Sequence, residues 1–227
     1  MITTVIFDLD DTLYDEVDYC RSGFASVAEF LANSPGSPDA ERIFDCFWNQ
    51  FKGGNRTKTF NAALDELGIA YDDMIIQGMI KIYRNHIPKI SLPADSRDVL
   101  AQMKGKYTLG LLTDGFLPAQ QLKVQALGLG GYFECIIYTE QIGREYWKPS
   151  PAGFEKLMET LKVEPGAMAY VADNEKKDFI APNRLGCLSI QIIRPARIHE
   201  DLAEEPGAAA RYVIHGISEL PPLLEKL

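Results

Sequence analysis

Residues 3 to 12 read Thr-Thr-Val-Ile-Phe-Asp-Leu-Asp-Asp-Thr, and this stretch decides the fold of the chain. Its first half is β-branched and aromatic, which indicates a strand buried on both faces. The apolar run stops at Asp8, so Asp8, Asp10 and Thr12 follow the carboxyl end of that strand. In an open α/β sheet this edge is where ligands bind. The stretch therefore predicts a functional site at the end of the first strand.

Asp8 and Asp10 stand two residues apart, a spacing that suits a hard divalent cation. Magnesium prefers octahedral oxygen ligands, and it binds one or two carboxylates together with substrate phosphate. An acidic pair after a strand is also typical of a solvated turn, and that interpretation stays open here. A calcium loop of the EF-hand type begins similarly but needs Gly at its sixth position and Glu at its twelfth. This chain has Leu13 and Tyr19 there, which excludes the calcium loop.

The composition is that of an acidic globular protein. Of 227 residues, 46% are hydrophobic and 24% are charged, which is ordinary usage. The 23 basic and 32 acidic residues give a net charge of −9, which argues against polymeric nucleic acid as a partner. The four cysteines lack metal or redox spacing, and no apolar run has the length of a signal segment or membrane span. We therefore expect a cytoplasmic protein without a membrane partner. The histidines, His86, His199 and His215, are isolated, and none is expected to be catalytic or a ligand.

Between residues 15 and 93 the apolar residues recur at helical spacing. The segments 17–31, 39–51, 58–67 and 72–86 each predict an amphipathic helix. An insertion of roughly eighty residues is far longer than an ordinary connection between elements. We expect a helical-bundle cap domain at 15–93, which leaves the core just after the first strand and covers the site as a lid.

After residue 93 short apolar strands alternate with helices. Strands are predicted at 107–113, 135–138, 168–172 and 188–193, and helices at 95–104, at 116–127 and from Pro151 onward. Parallel strands need crossover connections, so helices between successive strands imply a doubly wound parallel sheet. The predicted fold class is α/β, with residues 1–14 and 94–227 forming the core.

Three later groups lie at predicted strand ends or helix starts, and we expect them at the same sheet edge as Asp8. They are Thr113-Asp114-Gly115, Lys148-Pro149 and the segment from Asp173 to Asp178. Each alone is typical of a turn, a solvated lysine or a helix cap. Their order is Asp-x-Asp-x-Thr, strand-Thr, Lys-Pro and strand-Asp-x-x-x-x-Asp. This order resembles the haloacid dehalogenase superfamily of aspartyl phosphohydrolases, whose core is Rossmann-like, over nearly the whole chain.

The resemblance implies a role for each group around the substrate phosphate. Asp8 would attack phosphorus to form an aspartyl-phosphate, while Asp10 would protonate the leaving oxygen and then activate water. A carboxylate can act as a covalent nucleophile, and a second carboxyl can alternate as acid and base. Thr113 and the backbone N–H groups of Asp114 and Gly115 would bind phosphate oxygens.

The resemblance also implies a cation site and a fixed positive charge. Lys148 would neutralise both phosphate and nucleophile, a role that suits a compact ammonium group. The cofactor Mg²⁺ would be held by the side chains of Asp8 and Asp173 and by the backbone carbonyl of Asp10. Asp178 would orient Lys148 or a water on the metal.

Two positions depart from the family pattern, and neither removes a catalytic group. Asp114 stands where the family often has Asn, and Ala172 stands where Gly commonly precedes the metal acid. Thr12 closes the Asp-x-Asp-x-Thr motif and would support the site from behind the catalytic acids.

The expected function is a magnesium-dependent phosphatase acting on a small phosphomonoester. Family dehalogenases lack an acid at the position of Asp10, so its presence argues for phosphorus chemistry. A phosphomutase of the same superfamily uses both acids and stays an alternative. A non-enzymatic phospho-receiver or binding protein is the alternative of another class, although receivers have no comparable helical insertion.

We expect the substrate to be a sugar phosphate, a nucleotide monophosphate or a phosphoacid, and the chain to be a monomer or homodimer. The loop between the second and third predicted helices contains Lys52, Arg56 and Lys58 around two glycines. Three cations cluster there in a protein of net charge −9, so the loop is predicted to bind substrate. A solvated loop between helices is the alternative interpretation.

Overall fold

The structure, a computed structural model, describes residues 1–200, 202–203 and 205–227. The chain divides into two compact units, one formed by Met1–Val17 and Ser91–Leu227 and the other by Asp18–Ile90. No helix in the described residues is long and apolar enough to cross a membrane.

The described residues of the first unit form one six-stranded parallel sheet. Its strands are β1 (Thr4–Phe7), β2 (Thr108–Thr113), β3 (Cys135–Tyr138), β4 (Met168–Ala172), β5 (Leu188–Ile192) and β6 (Tyr212–Ile214). They lie in the order β3-β2-β1-β4-β5-β6, and all neighbours run parallel. The predicted α/β class with a parallel sheet is confirmed.

The first strand lies at the centre of the sheet, between β2 and β4. All four of its residues are buried, as expected for a parallel strand covered by helices on both faces. Ile6 pairs with Gly110 of β2, and a Cβ added at Gly110 would lie 2.6 Å from Cδ1 of Ile6. Gly110 therefore permits the close packing around the central strand.

Helices link the strands and form the second unit. The helices in the described residues are α1 (Glu16–Ala32), α2 (Ala40–Lys52), α3 (Thr59–Leu67), α4 (Asp73–Asn85), α5 (Ala94–Met103), α6 (Ala119–Ala126), α7 (Ala152–Leu161), α8 (Glu175–Asp178), α9 (Ile180–Leu185) and α10 (Leu220–Leu224). The start of α1 belongs to the first unit, and the rest of α1 through α4 forms the second.

The second unit has an aromatic core. The ring of Phe24 in α1 lies 5.9 Å from Phe47, 5.9 Å from Phe60 and 5.4 Å from Tyr83. A Cβ added at Gly23 would lie 2.5 Å from Tyr83, so Gly23 lets α1 and α4 approach closely. The apolar stripes predicted from helical spacing thus pack against one another, as such stripes normally do.

Two predictions about the first unit need correction. The helix predicted at 116–127 begins only at Ala119, since the residue before a proline disfavours helical backbone and Pro118 therefore delays the start. The strand Tyr212–Ile214 and the helix Leu220–Leu224 were not predicted. Tyr212–Ile214 has only three residues, one of them exposed, and Leu220–Leu224 contains two prolines, so neither segment shows a periodic apolar pattern.

Candidate active site

Three strand ends meet at one edge of the sheet. Asp8 follows the last residue of β1, Thr113 is the last residue of β2, and Asp173 follows β4. The parallel register of these neighbouring strands places the carboxylates of Asp8 and Asp173 close together, and the side chains of Asp8, Thr113 and Asp173 are all buried. A cavity of about 80 Å³ opens at this edge; its lining residues are Asp8, Asp10, Glu16, Asp114, Asp173, Asn174, Lys177 and His199.

Lys148 joins two acids at this edge. Its Nζ donates to Oδ1 of Asp8 at 2.7 Å and to the hydroxyl of Tyr170 at 2.9 Å, and it lies 2.8 Å from Oδ1 of Asp178. Burial acts to lower the pKa of Lys148, but the carboxylates of Asp178 and Asp8 hold that pKa well above its usual range. Lys148 therefore carries a full positive charge beside Asp8.

The acids at the sheet edge can hold a divalent cation. Asp8, Asp173 and Asp178 each offer a carboxylate oxygen, and these atoms lie within 4.8 Å of one another. Oδ2 of Asp173 is buried and has no hydrogen-bond partner among the residues that the structure describes. The oxygens of Asp178 are already engaged, one by Lys148 and the other by the backbone N–H of Asn174 at 3.0 Å. Asp8 and Asp173 are therefore the better ligands, and Asp178 fixes Lys148 instead.

The electrostatics of these acids agree with a cation site. Burial raises the pKa of Asp173 to about 9, and the neighbouring charges of Asp178 and Asp8 add to the rise. Burial also raises the pKa of Asp8 to about 6, against the opposing effect of Lys148. A buried carboxyl group that holds its proton this tightly and has an unpaired oxygen gains strongly from a bound cation.

The loop after β2 is fixed by the side chain of Asp114. Its Oδ1 accepts a hydrogen bond from Oγ1 of Thr139 at 2.7 Å, and its Oδ2 accepts one from the backbone N–H of Lys148 at 3.1 Å. A carboxylate accepts on both oxygens, whereas the amide of Asn accepts on one only. The Asp at this position therefore fits its surroundings. Gly115 follows with a φ of 141°, which residues with a side chain rarely adopt.

The carboxylate of Asp10 is held by three side chains, and the sequence assigned no role to two of them, Gln120 and Lys123. Nζ of Lys123 lies 2.8 and 2.9 Å from its two oxygens. The hydroxyl of Tyr14 donates to Oδ1 at 2.5 Å, and Nε2 of Gln120 donates to Oδ2 at 2.9 Å. Burial acts to raise the pKa of Asp10, but Lys123 and the other donors hold it below its usual value.

Two further acids anchor the loop after β5. Oδ2 of Asp11 accepts from the backbone N–H of Ile198 at 2.6 Å, and Nε of Arg194 donates to Oδ1 of Asp15 at 2.6 Å. These bonds bring the loop to the catalytic edge, where His199 lines the cavity. The sequence assigns His199 no role, and no local signal could have done so, because its position depends on contacts with residues almost 190 positions earlier.

Glu16 and Lys177 also line the cavity, and Thr12 lies in the segment between β1 and α1. The hydroxyl of Thr12 is buried and without a hydrogen-bond partner in the described part of the chain. Burial, followed by the charge of Asp10, raises the pKa of Glu16 to about 8. Nζ of Lys177 lies 3.7 Å from Oδ2 of Asp114 and adds positive charge to the wall.

The cationic loop predicted to bind substrate lies in the second unit. Lys52 ends α2, Lys58 immediately precedes α3, and both are exposed, as is Arg56. Asn55 accepts a hydrogen bond from the backbone N–H of Lys58 at 3.2 Å, and the guanidinium of Arg56 lies 5.7 Å from the ring of Phe51. The loop thus presents three cations to solvent, and its role toward substrate stays a prediction.

Comparisons with known proteins cover nearly the whole chain. Residues 2–186 match the family described as haloacid dehalogenase-like hydrolase. The chain is 25% identical to glyceraldehyde 3-phosphate phosphatase of Methanocaldococcus jannaschii, over 100% of this chain and 99% of that protein. It is also 25% identical to N-acylneuraminate-9-phosphatase of Homo sapiens, over 100% and 95%. The crystal structure of 2-haloacid dehalogenase from Pseudomonas syringae pv. Tomato has the same fold, with a TM-score of 0.68 at 23% identity over 100% of this chain and 99% of that one.

Proposed function

The chain belongs to the haloacid dehalogenase-like hydrolases, and we propose that it is a magnesium-dependent phosphatase that cleaves a small phosphomonoester through an aspartyl-phosphate intermediate. One observation carries the proposal. Asp8 and Asp10 line the same cavity, yet each is bound by its own buried ammonium group, Lys148 for Asp8 and Lys123 for Asp10. Two carboxylates in separate environments can divide the work of a nucleophile from that of an acid and base.

In the first step a carboxylate oxygen of Asp8 attacks phosphorus while the bond from phosphorus to the ester oxygen breaks. Asp10 gives its proton to the departing alcohol oxygen, so the alcohol leaves neutral. The hydroxyl of Thr113 and the backbone N–H groups of the loop after it donate to the phosphoryl oxygens. The ammonium of Lys148 offsets the negative charge that gathers beside Asp8.

In the second step water attacks the phosphorus of the aspartyl-phosphate. Asp10, now a carboxylate, takes a proton from that water, and the bond from phosphorus to the oxygen of Asp8 breaks. Inorganic phosphate leaves, Asp8 is a carboxylate again, and Asp10 has taken up one proton for the one that it gave to the alcohol. The same carboxyl group thus serves as acid and then as base.

The donor set at the sheet edge fits Mg²⁺. Asp8 and Asp173 supply carboxylate oxygens, and the family pattern adds the backbone carbonyl of Asp10 as a further oxygen ligand. Oδ2 of Asp173, which is buried and has no hydrogen-bond partner within the described ranges, supports this assignment. A cation bound there would offset the charges of the phosphate and of the surrounding acids. Asp178 keeps Lys148 directed at Asp8.

A phosphatase is favoured over the alternatives. Both full-length relatives carry phosphatase names, which supports hydrolysis over the phosphomutase reaction. A non-enzymatic receiver or binding protein needs only the phosphorylated acid and a cation. This chain also has the residues that we propose as acid and base, as phosphate loop and as buried lysine, which supports an enzyme.

The proposed substrate is a small phosphorylated metabolite. One relative is named for glyceraldehyde 3-phosphate and the other for the 9-phosphate of N-acylneuraminate, so sugar phosphates are the first class to test. Nucleotide monophosphates and phosphoacids complete the panel.

The test measures phosphate released by the purified protein from this panel, with Mg²⁺ and with excess chelator. We expect Mg²⁺-dependent release, and the Asp8→Asn variant controls for contaminating phosphatases. No release from any phosphomonoester in the presence of Mg²⁺ would contradict the proposal. Conversion of a sugar phosphate into an isomer without release of phosphate would establish the mutase instead.

A further inference from the structure

We propose that Tyr14, Gln120 and Lys123 are positioning residues that hold the carboxylate of Asp10 in the orientation needed for proton transfer. We call these three side chains the Asp10 clamp. The inference rests on the proposed phosphatase mechanism, in which Asp10 is the acid and the base. It adds residues to that mechanism that belong to neither the phosphate loop nor the cation site.

The contacts of the clamp fix the plane of the carboxylate. The torsion that rotates a carboxyl group is broad and roughly two-fold, so Asp10 alone has no strong preferred orientation. Lys123 bridges both oxygens at 2.8 and 2.9 Å. Tyr14 donates to Oδ1 and Gln120 to Oδ2. Each oxygen therefore has two donors, and rotation of the group breaks several hydrogen bonds at once.

Lys123 contacts Asp10 although burying an ammonium group costs free energy. Its side chain is only 4% exposed, and a lysine is almost never fully buried unless it is paired. Nζ also lies 3.7 Å from Oε1 of Glu16, so the ammonium faces two acids. Lys123 belongs to α6, the helix that follows the phosphate loop, and the helix backbone fixes where its side chain begins.

Gln120 is confined from two sides. Its Nε2 donates to Oγ1 of Thr113 at 2.6 Å as well as to Asp10. A Cβ added at Gly115 would lie 2.8 Å from Cδ of Gln120, so the amide fills space that only glycine leaves free. Gln120 lies one helical turn before Lys123, and residues three apart share a helix face. The start of α6 thus ties the orientation of Asp10 to the phosphate-binding loop.

A purely structural role for Lys123 makes a different prediction. If Lys123 only balances buried acids, its loss lowers activity on every phosphomonoester in the same proportion. If Lys123 positions the proton donor, the fall in activity that follows its removal depends on the leaving group. An alkoxide needs a proton to leave, whereas para-nitrophenolate leaves readily without one.

The experiment compares kcat/KM for glycerol phosphate and for para-nitrophenyl phosphate in wild type, Lys123→Met and Lys123→Arg. In Lys123→Met we expect kcat/KM on the alkyl ester to fall by about 100-fold, which is within the usual contribution of acid catalysis. On the aryl ester we expect kcat/KM to fall by less than about threefold, because that leaving group needs no proton. On the aryl ester kcat and KM should fall together, because hydrolysis of the aspartyl-phosphate still needs Asp10 as a base. On the alkyl ester, kcat/KM of Lys123→Arg should be at least about tenfold higher than that of Lys123→Met, since arginine restores a cationic donor.

Gln121→Ala is the matched control, because Gln121 is an exposed neighbour on the same helix and should leave both substrates unaffected. If Lys123→Met does not fold, as judged by its thermal transition, Tyr14→Phe takes its place. That change removes one donor to Asp10 and should lower only the alkyl reaction, by about tenfold.

Equal losses on both esters, or no loss on either, would overturn the Asp10 clamp while leaving the phosphatase intact. The two proposals fail separately. A wild-type protein that hydrolyses neither ester, or an Asp8→Asn variant that retains activity, contradicts the phosphatase itself.

Discussion

Nζ of Lys148 lies 2.7 Å from Oδ1 of Asp8, and the two side chains are only 1% and 5% exposed. This contact is part of the fold as well as of the site, because the same ammonium also faces Asp178. Removing one member of a buried ion pair leaves an uncompensated charge, which typically costs about 3–5 kcal/mol of stability.

The first prediction concerns Lys148→Met. We expect loss of phosphatase activity together with a clear fall in the free energy of unfolding, because Asp8 and Asp178 lose their shared cation. Urea denaturation followed by circular dichroism measures the second effect. Lys156→Met is the matched control, since Lys156 pairs with Glu159 at the surface and its loss should leave stability unchanged. A Lys148→Met protein as stable as wild type would show that the buried pair contributes nothing to folding.

The second prediction separates the roles of the two acids. Asp8→Asn should lower turnover by more than about a thousandfold, since loss of the group that forms the covalent bond normally costs several powers of ten. Its thermal transition should stay close to that of wild type, because Lys148 keeps the carboxylate of Asp178 as its partner. Acid quenching after mixing with radiolabelled substrate should leave no label on Asp8→Asn. With labelled para-nitrophenyl phosphate, whose phenolate leaves without a proton, Asp10→Asn should retain label, because its aspartyl-phosphate forms but lacks the base for hydrolysis. Label on Asp8→Asn would exclude Asp8 as the nucleophile.

The third prediction is a pH-dependent response to Mg²⁺. Burial raises the pKa of Asp173 to about 9, far above its ordinary value of 3.8, so without the cation its proton is held through neutral pH. An acid whose pKa is raised on folding favours the folded state fully below its unfolded value, and this stabilisation is lost as pH rises toward the folded value. Because Mg²⁺ binds the ionised carboxylate, it competes with that proton, and its apparent affinity should rise with pH.

Thermal melts measure this competition. The increase in Tm on adding Mg²⁺ should be larger at about pH 8 than at about pH 6, where the proton competes more strongly. Asp173→Asn should show little increase at either pH, because it lacks the titrating ligand. An equal Mg²⁺ effect at both pH values would place the cation away from Asp173.

The fourth prediction places substrate selection in the loop from Lys52 to Lys58. Changing Lys52, Arg56 or Lys58 to Ala should lower kcat/KM on the best substrate of the panel by about tenfold in at least one case, and should spare para-nitrophenyl phosphate. Lys81→Ala is the control, since Lys81 is an exposed lysine elsewhere in the same unit. Parallel losses on both substrates, or none on either, would move specificity to other residues.

The centre of the sheet could be predicted because β1, β2 and β4 are buried apolar runs that end at or just before a polar residue, Asp8, Thr113 and Asp173 respectively. β3 and β4 lie at the predicted residues, and β1 ends where the first acid begins. The helices between successive strands indicated that the strands run parallel. The succession of four short motifs along the chain predicted where the site lies. Where an apolar run is followed by a polar residue, the local sequence is enough to predict a strand and the position of its end.

Two members of the Asp10 clamp, Gln120 and Lys123, could not be predicted in this way. Gln120 and Lys123 are polar residues in a helix, and such residues are normally expected to face solvent. A signal was present, since Lys123 lies on the same face as the buried Val124 and Leu127, but the partner that explains it is Asp10, more than a hundred residues away. Contacts over such separations are set by tertiary packing, which a single sequence does not reveal.

The central position of β1 has a consequence for how the protein is made. β1 emerges first from the ribosome, yet β2 begins at Thr108, β4 at Met168, and the partner of Asp11 is Ile198. Synthesis at about 5–20 residues per second leaves this apolar strand unpaired for several seconds. During that time the helices of Asp18–Ile90 can form from local contacts, which fold quickly. The helical unit can therefore fold while β1 still lacks its partner strands, and the acids of this sheet edge assemble only after β4 has been made.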